Sequence, residues 1–215
     1  QPDLKHTQEY LQFFSSLHKE APSTNLMTIR YPFHYEEKSL PTSCWVDGFF
    51  QSEKYFLKHR NEILNLFPEA LLLNEVFKKY ENFYLTETVS IHIRRGDYLK
   101  FSNFHFNLPL DYYVSALEEI SDYDSVLIFS DDISWCQENF PKNDKNVFID
   151  EKDYIAMLLM SKCTHNVIAN SSFSWWGAWL NRGINKKVIA PKQFLAPGNE
   201  HIDTSDVYPE GWLRL

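Results

Sequence analysis

The sequence predicts an α/β protein built on a Rossmann-type parallel sheet, preceded by a helical segment. Three observations carry that expectation. After Thr86, short apolar runs alternate with amphipathic stretches of helical length, which is the pattern of βαβ units. Polar residues gather where those runs end, and open parallel sheets bind ligands outside the carboxyl ends of their strands. A length of 215 residues is also enough to bury a substantial core.

The elements follow in order. Asp3–Glu20 reads as a helix from the spacing of Leu4, Leu11, Phe14 and Leu17, and Ala21-Pro22-Ser23 stops it. Leu26–Tyr31 reads as extended, and Tyr31–Gly48 as irregular and broken by prolines. Helices are expected at Glu53–Arg60 and Glu69–Asn82, the second entered through Phe67-Pro68. Then come strand Val89–Ile93, helix Asp111–Ile120, strand Val126–Phe129 and helix Asp132–Asn139. Strand Val147–Ile149, helix Lys152–Lys162, strand His165–Ala169, helix Phe173–Leu180 and strand Lys187–Ala190 complete the series. The division expected is a helical and irregular segment at 1–85 and a Rossmann-like domain at 86–215.

Composition removes several classes. Lys plus Arg number 21 against 29 Asp plus Glu, a net charge of -8, so no nucleic-acid partner is expected. Only 6 glycines occur, with neither a GxGxxG fingerprint nor a GxxxxGK[ST] loop. Any phosphate must therefore be held without a glycine-rich cradle. No apolar run approaches the roughly 20 residues of a membrane span. Cys44, Cys136 and Cys163 are odd in number and far apart, suggesting neither a disulfide framework nor a zinc site.

Three clusters carry the chemistry. In VSIHIRRGDY, strand alternation puts Val89, Ile91 and Ile93 on one face and His92 and Arg94 on the other. Arg94, Arg95 and Asp97 then emerge at the strand end, with Gly96 able to supply a turn. Paired guanidinium forks suit phosphate oxygens; the bland alternative is an Arg–Asp pair bracing a loop. The Arg95–Asp97 tripeptide is not read as an adhesion signal, because it follows a buried strand. In VLIFSDD, one of Asp131 and Asp132 is expected to cap the next helix, leaving the other, with Ser130, for a ribose hydroxyl or a base N–H. In NVIANSSFSWWGAWL, Asn170, Ser171, Ser172, Phe173 and Ser174 start a helix whose backbone N–H groups form an anion site without glycines. Its tryptophans belong mostly to the core. Phe101–Phe106 (FSNFHF) is read as local packing rather than a sugar platform. Together the clusters point to a nucleoside diphosphate ligand, with arginine neutralising the leaving group in place of a metal.

HIRRGDY, FSDD and ANSSFSWWGAWLN, supported by GFFQSEKYF and LPLDYY, resemble motifs of the alpha-1,2-fucosyltransferases, glycosyltransferase family eleven, particularly the bacterial members. The resemblance covers about residues 45 to 193. It implies a GT-B-like fold, GDP-fucose as donor, a galactoside-terminated glycan as acceptor, inverting transfer to the 2-hydroxyl, and no cofactor or metal. By position it gives Arg94 the donor β-phosphate, His92 and one of Asp131 or Asp132 the guanine and ribose, and Ser171, Ser172 and Phe173 the surroundings of the diphosphate. Asp97 is the candidate general base. Family members open with a GGLGNQMFQYA-type segment that this chain lacks, so 1–85 is expected to be a remnant of, or linker from, a first lobe. A cytoplasmic location, or one peripheral to the inner membrane, is implied. The alternatives are a non-catalytic nucleotide- or sugar-binding module and a transferase using another nucleotide sugar.

Overall fold

A computed structural model describes residues 26–67 and 75–215. The helix expected at Asp3–Glu20 lies outside the described residues, as does the first part of Glu69–Asn82. The described residues begin with β1 (Thr28–Arg30) and β2 (Trp45–Asp47), a parallel pair whose side chains are exposed except for the half-buried Ile29. Two 3-10 turns, Glu53–Tyr55 and Leu57–His59, lead into α1 (Arg60–Leu66). The helical character expected at 53–60 is thus split, and the regular helix begins where the sequence pattern ended. A second helix, α2 (Glu75–Tyr80), runs into a 3-10 turn at Glu81–Leu85.

The sheet follows. Its elements are β3 (Thr88–Ile93), α3 (Gly96–Lys100), α4 (Leu110–Ile120), β4 (Ser125–Ser130), α5 (Ile133–Asn139) and β5 (Asn146–Ile149). Then come α6 (Asp153–Lys162), β6 (His165–Val167), α7 (Ser172–Leu180), β7 (Val188–Ala190) and β8 (Leu213–Arg214). The strands form one six-stranded sheet in the order β5-β4-β3-β6-β7-β8, every pairing parallel. The chain winds outward from β3 in one direction, then restarts at β6 in the other. That is the doubly wound order, and its switch point, between β3 and β6, opens a crevice at their carboxyl ends.

Helices cover both faces, as a parallel sheet requires. Val89, Ile91 and Ile93 of β3 pack with Val126 and Ile128 of β4 against Tyr113 and Ala116 of α4 and Cys136 of α5. Leu127 and Phe129 point the other way, into a core with Met160 of α6 and Trp175 and Trp179 of α7. That second face of β3 is polar but satisfied at Ser90, whose hydroxyl accepts from Asn166 Nδ2 at 2.7 Å. Gly177 of α7 lets α6 approach closely, since a Cβ there would stand 3.0 Å from Met160 Cβ.

The earlier segment is bolted onto α7. Phe56 stacks on Trp176 with ring centroids 5.3 Å apart, and Glu53 accepts from Trp179 Nε1 at 2.8 Å. No described helix is long and apolar enough to cross a membrane.

Candidate functional site

The carboxyl ends of β3, β4 and β5 enclose a cavity of about 220 Å³. Phe129, Ile149, Ala156 and Phe173 give it apolar walls, while His92, Arg94, Ser130, Asp131, Glu151 and Asp153 supply polar groups. Strand alternation explains why His92 faces it: Ile91 and Ile93 point into the opposite core. His92 is 2% exposed, its ring 5.1 Å from that of Phe173, and its Nδ1 has no hydrogen-bond partner. Burial, with Arg94 nearby, pushes its imidazole down to about 3, so the ring is neutral at physiological pH. An orphaned polar atom on a cavity wall points to a ligand that completes it.

Arg94 lines the cavity and lies between two carboxylates. Its Nε donates to Asp97 Oδ1 at 3.0 Å, its Nη2 lies 2.8 Å from the same oxygen, and Asp131 Oδ2 lies 3.3 Å from Nε. Asp131 also accepts the Arg95 backbone N–H at 2.9 Å. Gly96 is required by close approach rather than by a turn: a Cβ there would fall 2.5 Å from Asp131 Oδ2. The glycine opens α3 instead, a helix the sequence reading did not anticipate.

Arg95 takes the bland course. Its Nε donates to Asp132 Oδ2 at 3.2 Å and its guanidinium lies 3.5 Å from the Trp135 ring centroid. Asp132 caps α5, accepting from Trp135 N at 3.3 Å, while Ser130 Oγ accepts from Asp132 N at 3.0 Å. Of the two adjacent aspartates, Asp131 is the one on the cavity wall, and it is partly engaged by the arginines.

The third cluster divides. Ser171 is the N-cap of α7, accepting from Phe173 N at 3.3 Å, with Ser172 opening the helix beside it. Two expected donor-binding side chains are turned inward. Asn170 Nδ2 donates to the Phe106 and Phe194 carbonyls at 2.9 and 2.7 Å, tying two loops to the end of β6. Ser174 is fully buried, its hydroxyl donating to the Ala169 and Ser171 carbonyls at 3.4 and 3.3 Å. Neither leaves a group for a phosphate, because buried polar atoms are spent on the backbone that needs them.

The sequence reading missed Glu151, Asp153, Tyr98 and His105. Glu151 accepts from Lys79 Nζ and Tyr80 Oη, both at 2.9 Å, which fixes a carboxylate on the cavity rim. The Asp150-Glu151 pair directly after β5 was a strand-end signal of the same kind as FSDD. Tyr98 donates from its hydroxyl to the Asn170 carbonyl at 2.8 Å, joining the two sides of the switch point. Its ring lies 5.6 Å from the Arg94 guanidinium and 3.9 Å from the His105 ring.

Comparison with known proteins fixes the ancestry of this arrangement. The family model described as "Glycosyl transferase family 11" matches residues 24–215. The chain belongs to glycosyl transferase family 11. It is 40% identical over 187 residues to the O-antigen biosynthesis glycosyltransferase WbnK of Escherichia coli, covering 78% of this chain and 59% of that protein. It is 34% identical over 179 residues to an alpha-1,2-colitosyltransferase of Escherichia coli, covering 78% of this chain and 61% of that protein. The chain thus spans about three fifths of the length of these relatives. Among solved structures, the crystal structure of NodZ alpha-1,6-fucosyltransferase soaked with GDP-fucose fits with a TM-score of 0.34 at 15% identity. That fit covers 49% of this chain and 40% of the other, and is too loose to carry any inference. Family membership bears out the resemblance seen in HIRRGDY, FSDD and ANSSFSWWGAWLN, and the six-stranded parallel sheet bears out the Rossmann-type fold.

Proposed function

We propose that this chain is the donor-binding part of a glycosyltransferase that moves fucose from GDP-fucose to the 2-hydroxyl of a galactoside, with inversion at the anomeric carbon and without a metal. The observation that carries the reading is the cavity, whose lining joins the Arg94 guanidinium with the carboxylates of Glu151 and Asp153 and the rings of His92 and Phe173. A purine fits between the apolar walls, against the rings of Phe173 and His92. Carboxylates accept adjacent N–H groups, which guanine presents at N1 and N2 and adenine does not present as a pair. The diphosphate then meets Arg94, whose guanidinium spreads positive charge over the leaving oxygens as the sugar–phosphate bond lengthens. The N-terminus of α7 at Ser171, Ser172 and Phe173 adds backbone N–H groups on the same side. In this reading Asp97 and Asp131 hold Arg94 in place.

The 2-hydroxyl linkage draws support from the relative named for alpha-1,2 transfer. That same name favours a second reading, in which the donor carries colitose rather than fucose. The first 85 residues in either reading link to, or remain from, the other lobe of a two-lobed enzyme.

Calorimetry tests the donor assignment with GDP, ADP, UDP and GDP-fucose, on the unaltered protein and on Arg94→Ala. Tight binding confined to the guanine nucleotides, and lost in Arg94→Ala, is the expected result. Equal binding of UDP, or an unaffected Arg94→Ala, overturns it. Transfer assays with GDP-fucose and a colitosyl nucleotide then separate the two donors.

A further inference from the structure

We infer that His105 is the general base that takes the proton from the acceptor hydroxyl. This rests on the transferase reading above, and two independent lines of geometry support it.

The first line is the state of the other titratable groups at this edge of the sheet. Asp97 accepts from Nε and lies against Nη2 of Arg94. Asp131 holds Arg94 and the Arg95 backbone. Asp132 caps α5 and pairs with Arg95. Glu151 holds Lys79 and Tyr80. Each of these carboxylates is already engaged by a cation or by backbone N–H groups. His92 is buried beside Arg94 and stays neutral. The ring nitrogens of His105, by contrast, have no hydrogen-bond or ion-pair partner among the described residues, and the side chain is partly exposed.

The second line is position. The His105 ring stacks on Tyr98 with centroids 3.9 Å apart and planes 9° from parallel, and Phe104 meets it edge-on at 5.1 Å. Its backbone N–H donates to Phe101 at 2.9 Å, and the residue bridges to Leu195. The imidazole is therefore held rigidly, as a base must be if its lone pair is to meet one hydroxyl. Arg94 touches the cavity and lies over the same Tyr98 ring. A donor whose base fills the cavity and whose phosphate meets Arg94 carries its sugar past Arg94, toward Tyr98 and His105. The charges facing His105 are Asp97 and Arg94, with the Tyr98 phenol beneath it. Burial and Arg94 together outweigh Asp97 and keep the imidazole below its ordinary range, so it enters the reaction unprotonated.

The step balances. The acceptor O–H gives its proton to a ring nitrogen of His105 while its oxygen bonds to the anomeric carbon. The bond from that carbon to the β-phosphate oxygen breaks, and the electron pair leaves with GDP against Arg94. The imidazolium then returns its proton to water.

The test uses the full-length enzyme and three variants: His105→Gln, His105→Phe and Asp97→Asn. Removing a general base costs roughly 10²- to 10⁴-fold. Both His105 variants are expected to lose transfer rate on that scale while binding GDP within about twofold of the unaltered protein, and the acid limb of the pH–rate profile should vanish. His105→Phe preserves an aromatic ring against Tyr98, so recovery of activity in it would reduce His105 to a packing residue and overturn the proposal. Loss of GDP affinity in step with the rate would do the same. An acid limb that disappears only in Asp97→Asn transfers the role to Asp97. Transfer unchanged in the His105 variants removes this proposal alone, whereas no transfer by the unaltered enzyme from any nucleotide sugar removes the underlying reading with it.

Discussion

Arg94 Nη2 lies 2.8 Å from Asp97 Oδ1, three residues along the chain, and the same oxygen accepts from Arg94 Nε at 3.0 Å. Aspartate on the first turn of α3 thereby grips one edge of the guanidinium fork. The Nη1 hydrogens, and one on Nη2, are left to face an anion.

Asp97→Asn should weaken GDP binding by roughly threefold to tenfold, because amide oxygen still accepts but no longer balances the charge. Arg94→Ala should cost more, about 10- to 100-fold. Thermal stability should barely change in Asp97→Asn, since Asp97 is 47% exposed in a pair open to solvent. Isothermal calorimetry beside a melting curve checks both halves. Wild-type affinity in Asp97→Asn would mean that Arg94 needs no holding.

Gly96→Ala separates folding from binding. Alanine is the better helix former by about 1 kcal/mol, yet its Cβ would fall 2.5 Å from Asp131 Oδ2. The carboxylate must swing away, and it takes its ion pair with Arg94 and its hydrogen bond from the Arg95 N–H with it. GDP affinity should drop at least tenfold with a melting temperature within a few degrees of wild type. A variant that binds normally would show that Asp131 can move without disturbing the arginine.

Tyr98→Phe should do the reverse. It removes the 2.8 Å bond to the Asn170 carbonyl and leaves that oxygen buried without this partner, at a cost of about 1–2 kcal/mol. In a protein of this size that is a melting temperature lower by roughly 2–8 °C. The ring beneath Arg94 and His105 survives, so GDP affinity should hold within about twofold. An unchanged melting temperature would place no strain on the switch point when the bond is cut.

These expectations show what the sequence could and could not reveal. Strand alternation in VSIHI assigned Val89, Ile91 and Ile93 to one core and His92 to the other face, because period-two patterning is local. An Arg–Asp pair bracing the loop and an aspartate capping the helix after VLIFS were also legible as residue types at strand ends, but the partners, Arg95 with Asp132 and Asp132 with Trp135 N, were not. The inward turn of Asn170 and Ser174 was not, since it depends on the carbonyls of Phe106, Phe194 and Ala169 arriving from other elements. The placement of Glu151 was not legible either, since it depends on Lys79 and Tyr80 arriving from 71 or more residues away. His105 sat inside FSNFHF, which reads as packing, and for Phe104 that is what it is. β8 has only two residues and pairs with β7 through tertiary contact alone.

His92 makes the fold sensitive to acid. Its folded pKa lies at about 3, against about 6.5 in the unfolded chain. Between those values the unfolded chain binds a proton that the folded one does not, so stability falls as pH drops through 6.5. His105 and His165 are also held below their ordinary range by burial, so the wild-type slope contains them as well. The difference between wild type and His92→Asn isolates the one group: wild type should lose about 1.5 kcal/mol of its advantage between pH 6.5 and 5. Urea unfolding at several pH values measures it. A difference that stays constant with pH would mean that the imidazole titrates in the fold as it does in the unfolded chain, and that its burial costs the charged form nothing.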